Sequence, residues 1–70
     1  MDPANARVTA HLGRRFADQA LKQDSDSDAA RRARGEADFL TSHAVKLAPN
    51  NEEVKKLRDE VVKLLGLKTN

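Results

Sequence analysis

The stretch QDSDSD at residues 23–28 is a run of six polar residues between two segments with helical patterns. Serine and aspartate side chains compete for backbone hydrogen bonds, which ends one helix and caps the next. The aspartates alternate, but an EF-hand calcium loop needs glycine at its sixth position and glutamate at its twelfth. Counted from Asp24, those positions hold Ala29 and Gly35. The stretch therefore predicts a turn between two helices and not a calcium site.

The segment before this turn predicts a helix over about residues 4–22. Asp2 and Pro3 suit a helix start, because aspartate caps the first N–H groups and proline fits the first helical position. Apolar residues then recur at helical spacing. The expected buried stripe of this helix is Val8, Leu12, Phe16, Ala17, Ala20 and Leu21.

The segment after the turn predicts a second helix over about residues 29–48. Gly35 interrupts it at a cost of roughly 1 kcal/mol relative to alanine. Pro49 cannot continue the helix and ends it. Phe39 and Val45 lie off the centre of the apolar stripe. The stripe itself is Ala30, Ala33, Ala37, Leu40, Ala44, Leu47 and Ala48.

A third helix is expected over about residues 52–65. Asn50 or Asn51 caps it, and Glu53 is the capping-box partner of Asn50. Gly66 is placed to stop it, and the tail from Leu67 to Asn70 is expected to fray. Its apolar face is Val54, Leu57, Val61, Leu64 and Leu65. The fold class is therefore all-α, with three helices.

Composition limits the chain to one small domain over residues 1–70, which we interpret as a fragment or tail of a larger protein. The 70 residues include 11 alanines and no Trp, Tyr or Ile, so the core is thin. The net charge of +2 is a small excess of 13 basic over 11 acidic residues, which indicates a surface of both signs. The chain has no cysteine, no membrane-length apolar run and no signal-peptide pattern. A soluble, cytoplasmic protein is expected.

The residues of the first two helices resemble a tetratricopeptide repeat, a helix-turn-helix unit of 34 residues. Leu12-Gly13 is followed by Phe16, as in helix A of that family. The helix B pattern is matched by Ala37, Ala44 and Pro49, whereas Thr41 stands where an aromatic residue is expected.

The proline turn at Pro3 recurs at Pro49, after 46 residues instead of 34. The resemblance therefore covers one stretched repeat and the first helix of a second. Residues 33–65 are also loosely similar to C-terminal helical segments of bacterial multidomain proteins with kinase or WD-repeat modules.

The repeat resemblance implies a TPR-like antiparallel helical hairpin with a capping helix. It also implies that Gly13 lets the helices approach closely while Leu12, Phe16, Leu40 and Leu47 fill the space between them. A partner would bind the face formed by Arg7, Ala10, Arg14, Ala17, Asp18, Glu53 and Leu57. Some family members clamp a peptide carboxylate there with Lys, Asn and Arg, but this chain has Ala10, Arg14 and Leu57 at three of those places and lacks the clamp. That ligand is not expected.

No pattern in the sequence predicts catalysis, a cofactor or a metal site. His11 and His43 are the only imidazoles, and a metal site needs three or four convergent ligands. Residues 41–43, Thr-Ser-His, are adjacent on a helix and point in different directions. The isolated glycines do not form a phosphate-binding loop. The arginine clusters at 14–15 and 31–34 could contact phosphate. Carboxylates that lie close by can pair with them, so an ordinary solvated helix surface is expected there instead of a nucleic-acid site.

These features predict a non-catalytic protein-protein interaction module that binds a protein or peptide partner. The alternative is a structural segment that forms a homodimer or caps a domain, and weak nucleic-acid binding is third. A symmetric dimer is expected, because the outer side of the third helix near Val62 and Leu67, together with Phe39 and Val45, has no evident cover.

Overall fold

The computed structural model describes residues 3–67, with side chains from Asn5 onward, as three α-helices and no strand. Helix α1 spans Pro3–Lys22, α2 spans Asp28–Leu47 and α3 spans Glu52–Leu65. The predicted bounds differ from these by at most one residue. The predicted cap at Asp2 and residues 68–70 of the predicted tail lie outside the described residues. Leu67, which the prediction also assigned to the fraying tail, packs on the core instead.

Ser27 caps α2, as the polar stretch predicts. Its backbone is extended (φ −75°, ψ 152°), and its hydroxyl accepts a hydrogen bond from the Ala30 N–H at 3.1 Å. The same hydroxyl donates to the Asp24 carbonyl at 2.8 Å. These bonds close the turn and satisfy an N–H group that the first turn of a helix leaves without a partner.

Helix α3 is capped at its N-terminus by a side chain and at its C-terminus by a left-handed backbone conformation. The Asn51 Oδ1 accepts from the Val54 N–H at 3.2 Å, so Asn51 is the cap and not Asn50. The predicted capping box of Asn50 with Glu53 is therefore wrong. Gly66 ends the helix with φ 63°. Glycine adopts this left-handed conformation at little cost, and the Leu67 N–H then donates to the Val62 carbonyl at 3.0 Å.

The buried face of α1 differs from the predicted one. Val8 is 67% exposed and Leu12 is 43% exposed, whereas Phe16 is half-buried and Leu21 is exposed. Ala17 and Ala20 are buried as predicted, and the other residues that α1 buries are also small: Ala6, Ala10 and Gly13. A stripe of small side chains lets α1 lie closer to α2 than a stripe of leucines would. The large side chains are therefore turned towards the rim and the surface.

Helix α2 meets α1 through a similar small-residue face. Its buried residues are Ala30, Ala33, Ala37, Thr41 and Ala44. Leu40, Leu47 and Ala48 of the predicted stripe are half-buried. The prediction that large side chains fill the space between the helices is therefore wrong at Leu12 and only partly met at Leu40 and Leu47.

Helix α3 provides the large side chains of the core. Val54, Leu57, Val61 and Leu65 are buried as predicted, whereas Leu64 is 40% exposed. The core has two clusters, one at each end of the molecule. In the first cluster, Val61 and Leu65 pack with the alanines near the α1–α2 turn. Val54 and Leu57 pack with those near the other end.

Two ion pairs fix the direction of α3 relative to α1. Arg7 Nε lies 3.0 Å from Glu53 Oε1, and Arg14 Nε lies 3.1 Å from Glu60 Oε2. The step of seven residues is the same on both helices, so α1 and α3 run parallel, with α2 antiparallel to both. The offset within each pair is 46 residues, which equals the spacing of Pro3 and Pro49.

Candidate protein-binding surface

The charged members of the predicted partner face form an ionic seam between α1 and α3. His11 Nε2 lies 2.6 Å from Glu53 Oε2, next to the Arg7 pair. Arg14 also contacts Asp18 within α1 at 2.6 Å. The hydrogen bond from His11, followed by the charge of Arg7, lowers the pKa of Glu53. The bond to Asp18 raises the pKa of Arg14. These charges already have partners within the chain.

The apolar members of that predicted face lie in the core. Ala10 and Ala17 are fully buried, and Leu57 is 8% exposed. A partner that binds this face would not reach these three side chains while α3 is docked. Arg7, Arg14, Asp18 and Glu53 remain accessible in part, and partner binding through them stays a prediction.

The sequence patterns missed the polar contacts between α2 and α3. Arg58 Nη1 donates to Asp38 Oδ1 at 2.7 Å and lies 3.2 Å from the Thr41 hydroxyl. Thr41 is fully buried, and its hydroxyl donates to the Ala37 carbonyl at 2.7 Å. Arg34 donates from Nη2 to the Leu65 carbonyl at 2.9 Å. The spacing of Asp38 and Arg58 on different helices gave no local signal for this pair.

The side of the hairpin away from α3 carries large apolar side chains, and no other described helix covers it. We call it the open face and define it by Val8, Leu12, Phe16, Leu40 and Leu47. Leu12 and Leu40 lie on the opposite side of their helices from Arg14 and Asp38, which bond to α3. Phe16 and Leu47 are half-buried, because they also pack on the two core clusters. A groove between α1 and α2 on this side has a mixed lining, with Phe16 and Ala33 beside the charged residues Asp28, Arg32 and Glu36.

The edges of the open face carry aromatic and charged groups. Phe39 is 63% exposed and stacks on His43, with ring centroids 5.7 Å apart and planes 6° apart. Arg15 on α1 and Glu36 on α2 are exposed, and neither forms an ion pair within the described residues. These two side chains are therefore available to a partner on this side.

The outward side of α3 has the opposite character. It carries exposed charged residues of both signs, with an ion pair between Lys55 and Glu52 at 3.2 Å. The exposed residues there are Glu52, Lys55, Lys56, Asp59 and Lys63. The predicted uncovered patch on α3 is only partly present, because Val62 and Leu67 are half-buried. Val45 is also half-buried and packs on the core, so of that predicted patch only Phe39 is exposed.

The described residues hold no cluster of three or more His, Asp or Glu side chains suited to a metal ion. Thr41 bonds to the backbone while His43 stacks on Phe39, so the hydroxyl and the imidazole do not act on one another. No helix in residues 3–67 has the length and apolar character needed to cross a membrane.

Comparison with known proteins gives no match: no family model, no curated protein and no solved structure corresponds to this chain.

Proposed function

We propose that this chain is a non-catalytic protein-protein interaction module whose open face binds an amphipathic helix. The observation that carries the proposal is the exposure of Val8 and Leu12, beside the half-buried Phe16, Leu40 and Leu47, in a 70-residue domain with a thin core. Large apolar side chains that are grouped and exposed are typical of a docking surface. A cytoplasmic location is part of this proposal, since a chain without cysteine suits a reducing compartment.

A TPR-like arrangement is part of this proposal. Three features support it: the antiparallel hairpin, the close approach at Gly13, and the parallel placement of α3 on α1 with an offset of 46 residues. With this offset, α3 takes the place that the first helix of the next repeat would have, and α1 is the first helix of the repeat before it. In such arrays each unit contacts its neighbours, so the open face is where another helical unit would pack.

The second candidate function is a domain-capping segment, and the surface of α3 favours it. Residues 46 positions after Ala6, Ala10 and Ala17, three of the buried alanines of α1, are Glu52, Lys56 and Lys63. Side chains that would face a next helix are therefore charged and exposed. Terminal units of helical arrays carry such a polar outer face. Both functions use the open face for docking, and they differ in whether the partner is a separate protein or a covalently linked domain.

The proposal is tested by selecting binders from a displayed library of helical peptides with apolar residues at i, i+3, i+4 and i+7. Enriched peptides are titrated into the ¹⁵N-labelled chain, and amide shifts are mapped. We expect shifts at Leu12, Phe16 and Leu40 and none at Lys56. Leu12→Glu should abolish binding. Leu21→Glu is the matched control, because Leu21 is 53% exposed on another side of α1.

Failure to enrich any helical peptide would refute the proposal. Shifts confined to the ionic seam would also refute it, and they would restore the predicted partner face at Arg7, Arg14, Asp18 and Glu53.

A further inference from the structure

We infer that the occupant of the open face is a second copy of this chain, which pairs with the first in an antiparallel four-helix bundle. This inference rests on the proposed function, because it names the partner of the same surface. The two-fold axis runs along the helices, so that α1 of each copy packs against α2 of the other. Every neighbouring pair of hairpin helices in the dimer is then antiparallel, as α1 and α2 already are within one chain.

The area of the open face fits such a pairing. Helices α1 and α2 each have 20 residues. A helix of that length is about 30 Å long and about 10 Å across, so the two present on the order of 600 Å². Two copies would bury roughly 1,200 Å² in total, which is the lower end of the range for specific interfaces. We therefore expect a dimer that depends on concentration in the micromolar range.

The apolar residues of the open face complement one another in this arrangement. Within one chain Gly13 lies beside Leu40 and Thr41. This contact defines which residues of α1 and α2 lie at the same level, that is, at the same height along the helix axes. A two-fold axis along the helices keeps those levels. Leu12 therefore lies opposite Leu40 of the second copy, and Val8 lies opposite Leu47 of the second copy. Each contact occurs twice, as in any isologous interface.

The charges at the rim complement one another too. Arg15 lies at the level of Phe39 and Glu36 of the second copy, all three being exposed in the single chain. The guanidinium can pair with the Glu36 carboxylate and lie over the Phe39 ring. The second possible two-fold arrangement, with α1 against α1, would bring the two Arg15 side chains together. Like charges at an interface are unfavourable, so the charge pattern selects the pairing of α1 with α2.

The experiment is sedimentation equilibrium of the full chain over a protein concentration range of about 5 to 500 μM, because dimer formation follows mass action. The expected mass rises from 7.7 kDa to twice that value. Leu12→Glu should hold the chain at the monomer mass, since it would bury a carboxylate in the interface. Because Leu12 is 43% exposed in the single chain, circular dichroism of this variant should still show the native helix content.

A charge exchange tests the arrangement itself. Arg15→Glu and Glu36→Arg should each weaken the dimer by about tenfold, because the reversed pair occurs twice. The double variant R15E/E36R should recover most of that loss. Lys56→Glu is the control, because it makes the same change of charge on the outer side of α3 and should leave the dissociation constant unchanged.

Three results would overturn the inference: a monomer mass at every concentration, a dimer that Leu12→Glu leaves intact, or a double variant that recovers nothing. A monomer that still binds a selected helical peptide through Leu12 would overturn the dimer and leave the proposed function standing. A monomer that binds no helical peptide would overturn both.

Discussion

A Cβ atom placed on Gly13 would lie 2.7 Å from Cγ2 of Thr41, which is too close for two carbon atoms. It would also meet Leu40 Cβ at 3.1 Å and the Thr41 backbone nitrogen at 3.2 Å. Thr41 is fully buried, and its hydroxyl is held by the Ala37 carbonyl, so its methyl group has no room to move aside. Glycine and threonine together set the spacing of α1 and α2.

We therefore expect Gly13→Ala to lower the free energy of unfolding by about 1–2 kcal/mol, because overpacking outweighs the gain of about 1 kcal/mol in helix propensity. Gly35→Ala is the matched control, since nothing lies within 4 Å of a Cβ at that position. It should raise the free energy of unfolding by about 0.5–1 kcal/mol. Urea unfolding followed by circular dichroism measures both.

A second variant separates the clash from other effects of Gly13→Ala. Thr41→Ser removes Cγ2 and keeps the hydroxyl, so the double variant G13A/T41S should lose less stability than the two single changes added together. Strict additivity, or a Gly13→Ala protein as stable as the wild type, would show that the helices are not held at this spacing by Gly13 and Thr41.

The core residues of α3 should matter more than the large residues of α1. Leu57→Ala should cost about 2–5 kcal/mol, because Leu57 is 8% exposed and its removal leaves a cavity. Leu12→Ala should cost less than about 1 kcal/mol in the monomer, because much of its side chain is already in water. Thermal melts at low protein concentration make the comparison. Equal losses at both positions would show that Leu12 is part of the core after all.

The helix bounds followed from sequence because their signals are local. Ser27, Asn51, Gly66 and Pro49 each act on backbone groups within a few residues. The orientation of α1 did not follow, because the sequence holds two helical stripes: a large one through Leu12 and a small one through Ala10, Gly13 and Ala17. A prediction from the size of the apolar side chains favours burial of the stripe through Leu12.

Which stripe is buried depends on how close α2 lies, and that is a tertiary property. Thr41 is the residue of the sequence that indicates which stripe of α1 is buried. It departs from the aromatic expected in the repeat pattern, and an aromatic side chain would not fit opposite Gly13. The open face was missed for the same reason, since Leu12 and Phe16 were assigned to the interior. The pairing of Arg58 with Asp38 depends on how α3 docks, which no spacing within one helix reveals.

The seam between α1 and α3 should make stability depend on pH in the acid range. The pKa of Glu53 in the folded chain lies below its ordinary value of 4.5, chiefly because of the bond with His11. A carboxyl group with a lowered pKa stabilises the fold while it is ionised. Its contribution is therefore complete above the unfolded value and is lost as the pH falls through the folded pKa.

We expect Glu53→Gln to be less stable than the wild type at pH 6, and the difference should shrink as the pH falls below about 4.5. Melting temperatures across the acid range measure this. Glu36→Gln serves as the control at low protein concentration, where the chain is monomeric, because Glu36 forms no ion pair within the described residues. A difference for Glu53→Gln that grows towards low pH would contradict the assigned role of this carboxylate.

The arginine clusters should not bind nucleic acid tightly. Arg14 is held by Asp18 and Glu60, and Arg34 is held by the Leu65 carbonyl. Arg31 and Arg32 are exposed but adjacent on α2, so they point in different directions. The aspartates of residues 24–28 lie at the same end of the hairpin and repel phosphate. At physiological salt we expect a dissociation constant no tighter than about 10⁻⁴ M for duplex or single strands. Fluorescence anisotropy with labelled oligonucleotides over a salt series measures this dissociation constant. Micromolar binding that weakens steeply with salt and disappears in R31Q/R32Q would make nucleic acid the preferred partner.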